Sequence, residues 1–338
     1  MNSAIHPTEG VGMTELPFTA LMIRNSRRRA VIGPVAGDCK CVREKIALLA
    51  KKLATVLLLA VVAAAARPIP LRAAQKNFTL TVEKKWVDIG GGMSYQAWAY
   101  DGTVPGPVLR VNQGDEVNAQ LLNHTTDAHG LNMHAAQISP DHFGGDSSKP
   151  LSYKFPADVP GVFLYHCNGI PILDHIGRGM YGMMVVDPKG GWPTGSAQEI
   201  PLVQSEFYGI PRANGKIIPD HSEMLSAQPN FVVFNGKLNV HGAQHPIPIK
   251  VGKLVRVFFA DAGPNLQSTF NVSGVIFSTV YQGGNPANAF HGIDSLAVAP
   301  GATAVFEFTV SEPGDYRFMD LDRAHQYNGA MGVFRATR

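Results

Sequence analysis

An all-β fold of two sandwich domains is predicted for this chain by three observations. From about Asn77 onward, short runs of alternating apolar and polar residues are separated by Gly- and Pro-rich turns. Two stretches recur in the same order in both halves. No long helical pattern interrupts them.

The first-half strands are FTLTVEKKWV (78–87), PVLRVNQGDEVNAQLLN (107–123), YKFPADVPGVFLYHC (153–167) and MYGMMVVDP (180–188). In Val108-Leu109-Arg110-Val111 the alternation is that of a half-buried strand. Asp187-Pro188-Lys189-Gly190-Gly191-Trp192-Pro193 is dense in turn residues and marks a linker. After it come IPLVQSEFYG, NFVVFNG, IPIKVGKLVRVFFADAG, ATAVFEFTV and GDYRFMDLD. PVLRVNQGDEVNAQLLN is echoed by IPIKVGKLVRVFFADAG, and LSYKFPADVPGVFLYHC by AVFEFTVSEPGDYRFMD; both members of the second pair run through a Pro-Gly turn into an aromatic-rich strand. The predicted organisation is an N-terminal extension with a signal peptide over 1–75, one sandwich over 76–190 and a second over 195–338.

Composition agrees. A chain of 338 residues holds two domains of ordinary size, ~100–150 residues each. With 16% charged and 45% hydrophobic residues it can bury a core, which excludes wholesale disorder. A net charge of +3 without basic-aromatic interleaving gives no reason to expect a nucleic-acid partner.

Leu53 to Ala66 is an apolar run of 14 residues behind Lys51 and Lys52, with small residues following. A basic flank, a short apolar core and Ala-rich cleavage positions describe a secretory signal. The competing reading, a membrane span, needs ~20 residues. The expectation is a periplasmic or secreted protein with no membrane anchor after cleavage. Because signals begin near a chain start, translation is expected to begin near Val42. Ser26-Arg27-Arg28-Arg29 resembles a twin-arginine motif, but no long apolar stretch follows it directly. Cys39 and Cys41 lie upstream of the run, so the mature chain keeps only Cys167. It can form no internal disulfide, and a bound metal would protect its thiol.

That cysteine opens Cys167-x7-His175-x4-Met180, and His129 follows an earlier strand. Taken singly, Met180 reads as core and each histidine as a surface residue. Together, one thiolate, two imidazoles and a weak thioether are the donor set of a blue (type 1) copper electron-transfer centre. Soft sulfur favours Cu(I) and imidazole accepts Cu(II), so the set serves both states. His124, His142, His221, His241, His245 and His291 sit in turn-rich segments without metal spacing and are expected at the surface.

Residues 98–188 resemble the first domain of the copper-containing, NO-forming nitrite reductases and their two-domain multicopper relatives. The resemblance rests on AYDGTVPGPVLRVNQGDEV, HGLNMHAA, PGVFLYHC and HIGRGMYGMMVVDP; NFVVFNG (230–236), DAGPNLQSTF (261–270), YQGGNPAN (281–288) and NGAMGVF (328–334) extend it. It implies two cupredoxin-like Greek-key domains, a homotrimer, nitrite as substrate and a small redox protein as electron donor. It also implies a type 2 copper between subunits, with ligands at His134 and His166. The chain departs from that pattern three times. The third ligand position holds Leu321, the proton-handling aspartate is replaced by Asn132, and the catalytic histidine by Asn271. His325, four residues past Leu321, is the available substitute ligand; its alternative reading is a solvated loop residue. A trinuclear cluster is disfavoured, because Asn168 follows Cys167 where His-Cys-His is needed.

The sequence therefore predicts an exported copper redox protein with an intact type 1 centre and an impaired type 2 centre. A working NO-forming nitrite reductase and a copper-holding structural trimer remain the rivals.

Overall fold

The computed structural model describes residues 43–53, 74–144 and 149–338. The chain divides between residues 71 and 72. In the first unit the described part is an exposed helix, α1, of residues 43–53. The signal-peptide run beyond Leu53, the twin-arginine motif, Cys39 and Cys41 lie outside the described residues. Among the described residues no helix is long and apolar enough to cross a membrane.

The second unit begins with eight strands: β1 (Gln75–Gly90), β2 (Met93–Tyr100), β3 (Leu109–Asn112), β4 (Glu116–Asn123), β5 (Asn132–Met133), β6 (Leu151–Pro156), β7 (Gly161–His166) and β8 (Tyr181–Asp187). Twelve more follow. They are β9 (Gln198–Phe207), β10 (Lys216–Ile217), β11 (Phe231–Phe234), β12 (Ile247–Lys250), β13 (Val255–Asp261), β14 (Ser268–Val272), β15 (Thr279–Gln282), β16 (Ala289–Phe290), β17 (Ser295–Val298), β18 (Thr303–Phe308), β19 (Gly314–Asp320) and β20 (Met331–Thr337). Short helices α2 (Ile172–Gly177), α3 (His221–Leu225) and α4 (Arg323–Tyr327) sit in the connections.

Two sandwiches result. The first pairs the sheet β10-β2-β1-β4-β6 with β3-β8-β7-β5; the second pairs β11-β9-β13-β18-β15-β16 with β12-β20-β19-β14-β17. The repeat in the sequence is a repeat of topology. β1 lies parallel to β4 as β9 does to β13, and β3 parallel to β8 as β12 does to β20. β4 shows the expected alternation, with Val117, Ala119 and Leu121 inward. β13 does not alternate, for a physical reason. Val257 and Phe259 face the core of the second sandwich, while Phe258 and Ala260 pack on Val162, Leu164, Met183 and Val185 of β7 and β8. A strand buried on both faces has no polar side to show.

The segment between β8 and β9 is held as tightly as a strand. Trp192 donates from Nε1 to Asp187 (2.9 Å), and the Arg256 guanidinium stacks 4.9 Å from its ring centroid. Arg256, buried, also donates to Glu307 at 2.6 Å and Glu199 at 3.1 Å. Arg110 of β3, partly exposed, meets both Asp187 and Glu199 at 2.6 Å, so a charge network links the two sandwiches beside an apolar seam.

Candidate metal centre

His129 leaves β4 through a loop fixed by its own side chains. Asn123 accepts from the Thr125 amide (2.9 Å) and donates to the Asp127 carbonyl (2.7 Å). Buried Tyr100 and Tyr153 then donate to the carbonyls of Gly130 and Leu131, both at 2.9 Å. Cys167 ends β7. The loop after it carries His175 on α2 and closes through two backbone bonds, Cys167 N to Met180 O and Met180 N to His175 O, each 3.1 Å. Tyr95 ties the loop from outside by donating to the Gly177 carbonyl at 2.8 Å.

These constraints bring three donors to one point. The Nδ1 atoms of His129 and His175 lie 3.2 Å apart, and Cys167 Sγ lies 3.7 Å from the first and 3.1 Å from the second. The three residues and Met180 are all buried. Among the described residues this is the one group of three or more His, Cys, Asp or Glu that converges as a metal site would. Two amides, of Gly130 and Gly169, donate to Sγ at 3.2 and 3.3 Å. Both glycines are required by close approach: a Cβ on Gly169 would sit 2.4 Å from His175 Cε1, and one on Gly130 would sit 2.2 Å from the Phe143 carbonyl oxygen.

The electrostatics suit metal capture. Burial, then the neighbouring His175, lowers His129 to about 4, and burial also lowers His175. Both rings are therefore neutral at neutral pH, each with one nitrogen able to offer a lone pair. Burial raises the Cys167 thiol, against the two amides, so deprotonation there calls for a cation in place of the proton. His129 Nε2 is buried without a hydrogen-bond partner. Trp98 of β2 packs against both rings, with centroid distances of 5.1 Å to His129 and 4.8 Å to His175. The sequence reading missed Trp98, Tyr100 and Tyr153. The first two share a face of β2 in QAWAYDG, a period-2 signal that was there to find.

A second pair of histidines stands next door. His134 follows β5, and His166 precedes Cys167; their Nε2 atoms are 3.1 Å apart. His166 Nδ1 lies 2.8 Å from the Cys167 carbonyl oxygen. Burial, then the charge of His166, lowers His134 to about 4, while burial lowers His166. Asn132 is paired directly across from His166 in the β5–β7 ladder. Asn271 turns its side chain to the Asp294 carbonyl at 2.8 Å, and the Leu321 amide bonds the Thr269 carbonyl at 2.9 Å. No third His, Cys, Asp or Glu joins His134 and His166 among the described residues.

His325 is not a solvated loop residue. It is buried on α4, whose N-terminus Asp322 caps, and its Nδ1 lies 2.6 Å from Asp320 Oδ2. The internal repeat explains the placement. β7 and β19 each start on the glycine of a Pro-Gly turn, and the sixth residue beyond is Cys167 in one and Asp320 in the other. Asp320 with His325 thus holds in the second sandwich the place that Cys167 with His175 holds in the first. Of the remaining histidines, His124, His142, His221, His245 and His291 are exposed as expected, and His221 meets Asp174 at 2.9 Å. His241 is half-buried against Asn235 and Phe318.

Two β-sandwiches, with a buried histidine-cysteine-histidine cluster in the first, define a cupredoxin-class chain. Residues 81–191 match the model of the multicopper oxidase family. The copper-containing nitrite reductase of Neisseria meningitidis is 36% identical over 264 residues, 75% of this chain and 67% of the relative. The solved copper nitrite reductase of Nitrosomonas europaea superposes with a TM-score of 0.71 at 33% identity, covering 78% of this chain and 94% of that one. A multicopper oxidase structure at 22% identity and TM-score 0.70 shares the fold. The chain belongs to the copper-containing nitrite reductase family.

Proposed function

We propose that this protein is an exported copper redox protein that accepts and passes single electrons through a type 1 copper held by His129, Cys167, His175 and Met180. The observation that carries the proposal is the convergence of two imidazole Nδ1 atoms on one buried thiol. That donor set fits copper. One ion can bridge three buried donors packed this closely, and thiolate with imidazole is the combination copper takes in both oxidation states. Copper, when bound, supplies a one-electron couple. The protein's part is to keep the geometry fixed: the amides of Gly130 and Gly169 hold the sulfur, and the buried tyrosines hold the loop that carries His129.

NO-forming nitrite reduction is impaired in this account. Leu321 offers no lone pair, His325 is already engaged by Asp320, and neither Asn132 nor Asn271 titrates near neutral pH. Nitrite reduction consumes two protons, and the groups that would deliver them are amides here. Membership of the family supports a homotrimer and a small redox protein as donor. Export rests on the Leu53–Ala66 run.

A second reading has one observation in its favour. The His134 and His166 Nε2 atoms converge, so a weak copper site fed through the Cys167–His166 peptide would give a slow nitrite reductase. Copper stoichiometry measured together with nitrite turnover separates the two. About one copper per chain without nitric oxide supports the relay; two coppers with turnover establish the reductase. Copper uptake without redox activity would leave the copper-holding structural trimer.

A further inference from the structure

The geometry points to Trp98 as the positioning residue that caps the copper histidines and through which electrons reach the centre from solvent. The inference rests on the copper assignment above. Trp98 is half-buried, whereas His175 is 3% exposed and His129 1%. Its indole meets both imidazoles nearly edge-on, with interplanar angles of 81° and 64°. Trp98 also lines a surface cavity with Asp127, Pro171, Asp174, His175 and Arg178. One side chain therefore spans from water to both rings that would bind the metal.

Two cations hold the indole. Arg178 Cζ stands 4.8 Å from the ring centroid, and Lys84 Nζ stands 5.5 Å away and pairs with Asp127. Arg178 Nε is buried without a hydrogen-bond partner, so the aromatic face is part of what keeps that guanidinium in place. Positive charge over an indole opposes its oxidation to a radical cation. Trp98 thus serves as the medium for the electron and not as an oxidised stopping point. The same charges favour the reduced state of a neighbouring cupric ion, which raises its reduction potential. In the transfer itself, a one-electron donor is oxidised, the centre is reduced by one electron, and no bond or proton moves.

The test uses copper-loaded wild type, Trp98→Leu and Trp98→Phe. It reads three quantities: the Cu(II)–thiolate absorption, the midpoint potential, and the rate of reduction by hexaammineruthenium(II). Trp98→Leu is expected to slow reduction by about tenfold or more, as loss of an outer-shell partner commonly does, and to lower the potential, because Arg178 and Lys84 lose the ring that seats them. Trp98→Phe, which keeps an aromatic edge, is expected to recover most of both. Independently of turnover, Cu(II) titration should quench indole fluorescence in the wild type to a greater extent than in Trp98→Phe, which retains Trp86 and Trp192. A wild type without the thiolate band would sink the copper assignment itself. A normal band in all three proteins, with unchanged rate, potential and quenching, overturns the role of Trp98 alone.

Discussion

His166 and Cys167 are consecutive residues, yet their side chains serve two different clusters. The His166 ring meets His134 at 3.1 Å, and the Cys167 sulfur meets His175 at 3.1 Å. Strand alternation at the end of β7 produces the split. One peptide bond thus joins a converging histidine-cysteine-histidine triad to a converging pair of histidines.

Removing the sulfur removes the centre. Cys167→Ala is expected to abolish the absorption near ~600 nm expected of a Cu(II)–thiolate site, while the circular dichroism of the sandwiches stays. A persisting band would mean that another thiol holds the metal.

Gly169→Ala tests the loop geometry without touching a donor. The added Cβ falls 2.4 Å from His175 Cε1, so the ring must move. Copper affinity is expected to drop about 10–100-fold, measured by competition with a chromophoric chelator. Unchanged affinity would show that the loop yields freely.

Acid should destabilise the metal-free protein. His129 and His134 are held near 4 in the fold, below the ordinary 6.5. The unfolded chain therefore binds more protons between those values, and stability falls as pH drops from 6.5 toward 4. At pH 5 the loss is on the order of 1–2 kcal/mol per histidine, read as a lower urea midpoint than at pH 7.5. A flat profile over that window would contradict the burial of these rings.

His325 works in the opposite direction. Burial disfavours its charge, but the hydrogen bond to Asp320 and the charges of Asp320, Asp322 and Glu206 outweigh burial and raise it. Its contribution is complete below 6.5 and is lost as pH rises through the raised value. His325→Gln is expected to cost about 1–3 kcal/mol, more in mild acid than in alkali, with copper content unchanged. Loss of copper without loss of stability would instead make His325 a ligand.

Much of this was legible in the sequence. The Cys-x7-His-x4-Met loop needs contacts local to one turn, and the repeated Pro-Gly strands announced two sandwiches of the same topology. What stayed hidden depends on long-range packing. The continuous apolar run in β13 does not say which strand covers its second face. The sequence around His325 shows a short helix capped by Asp322 only once Asp320 is known to point inward. Trp98 reads as an ordinary strand aromatic until His129 and His175 arrive from residues well downstream.

Restoring the three departures together, with Asn132→Asp, Asn271→His and Leu321→His, is expected to raise copper toward two per chain and to produce nitrite turnover. If neither changes, those positions do not face the His134–His166 pair.

The central claim is tested most directly by reductive titration of the copper-loaded wild type, followed by anaerobic addition of nitrite. The account predicts that about one electron per chain bleaches the thiolate band, and that nitrite neither restores the band nor releases nitric oxide. Recovery of the band on adding nitrite, with nitric oxide evolved, would contradict it.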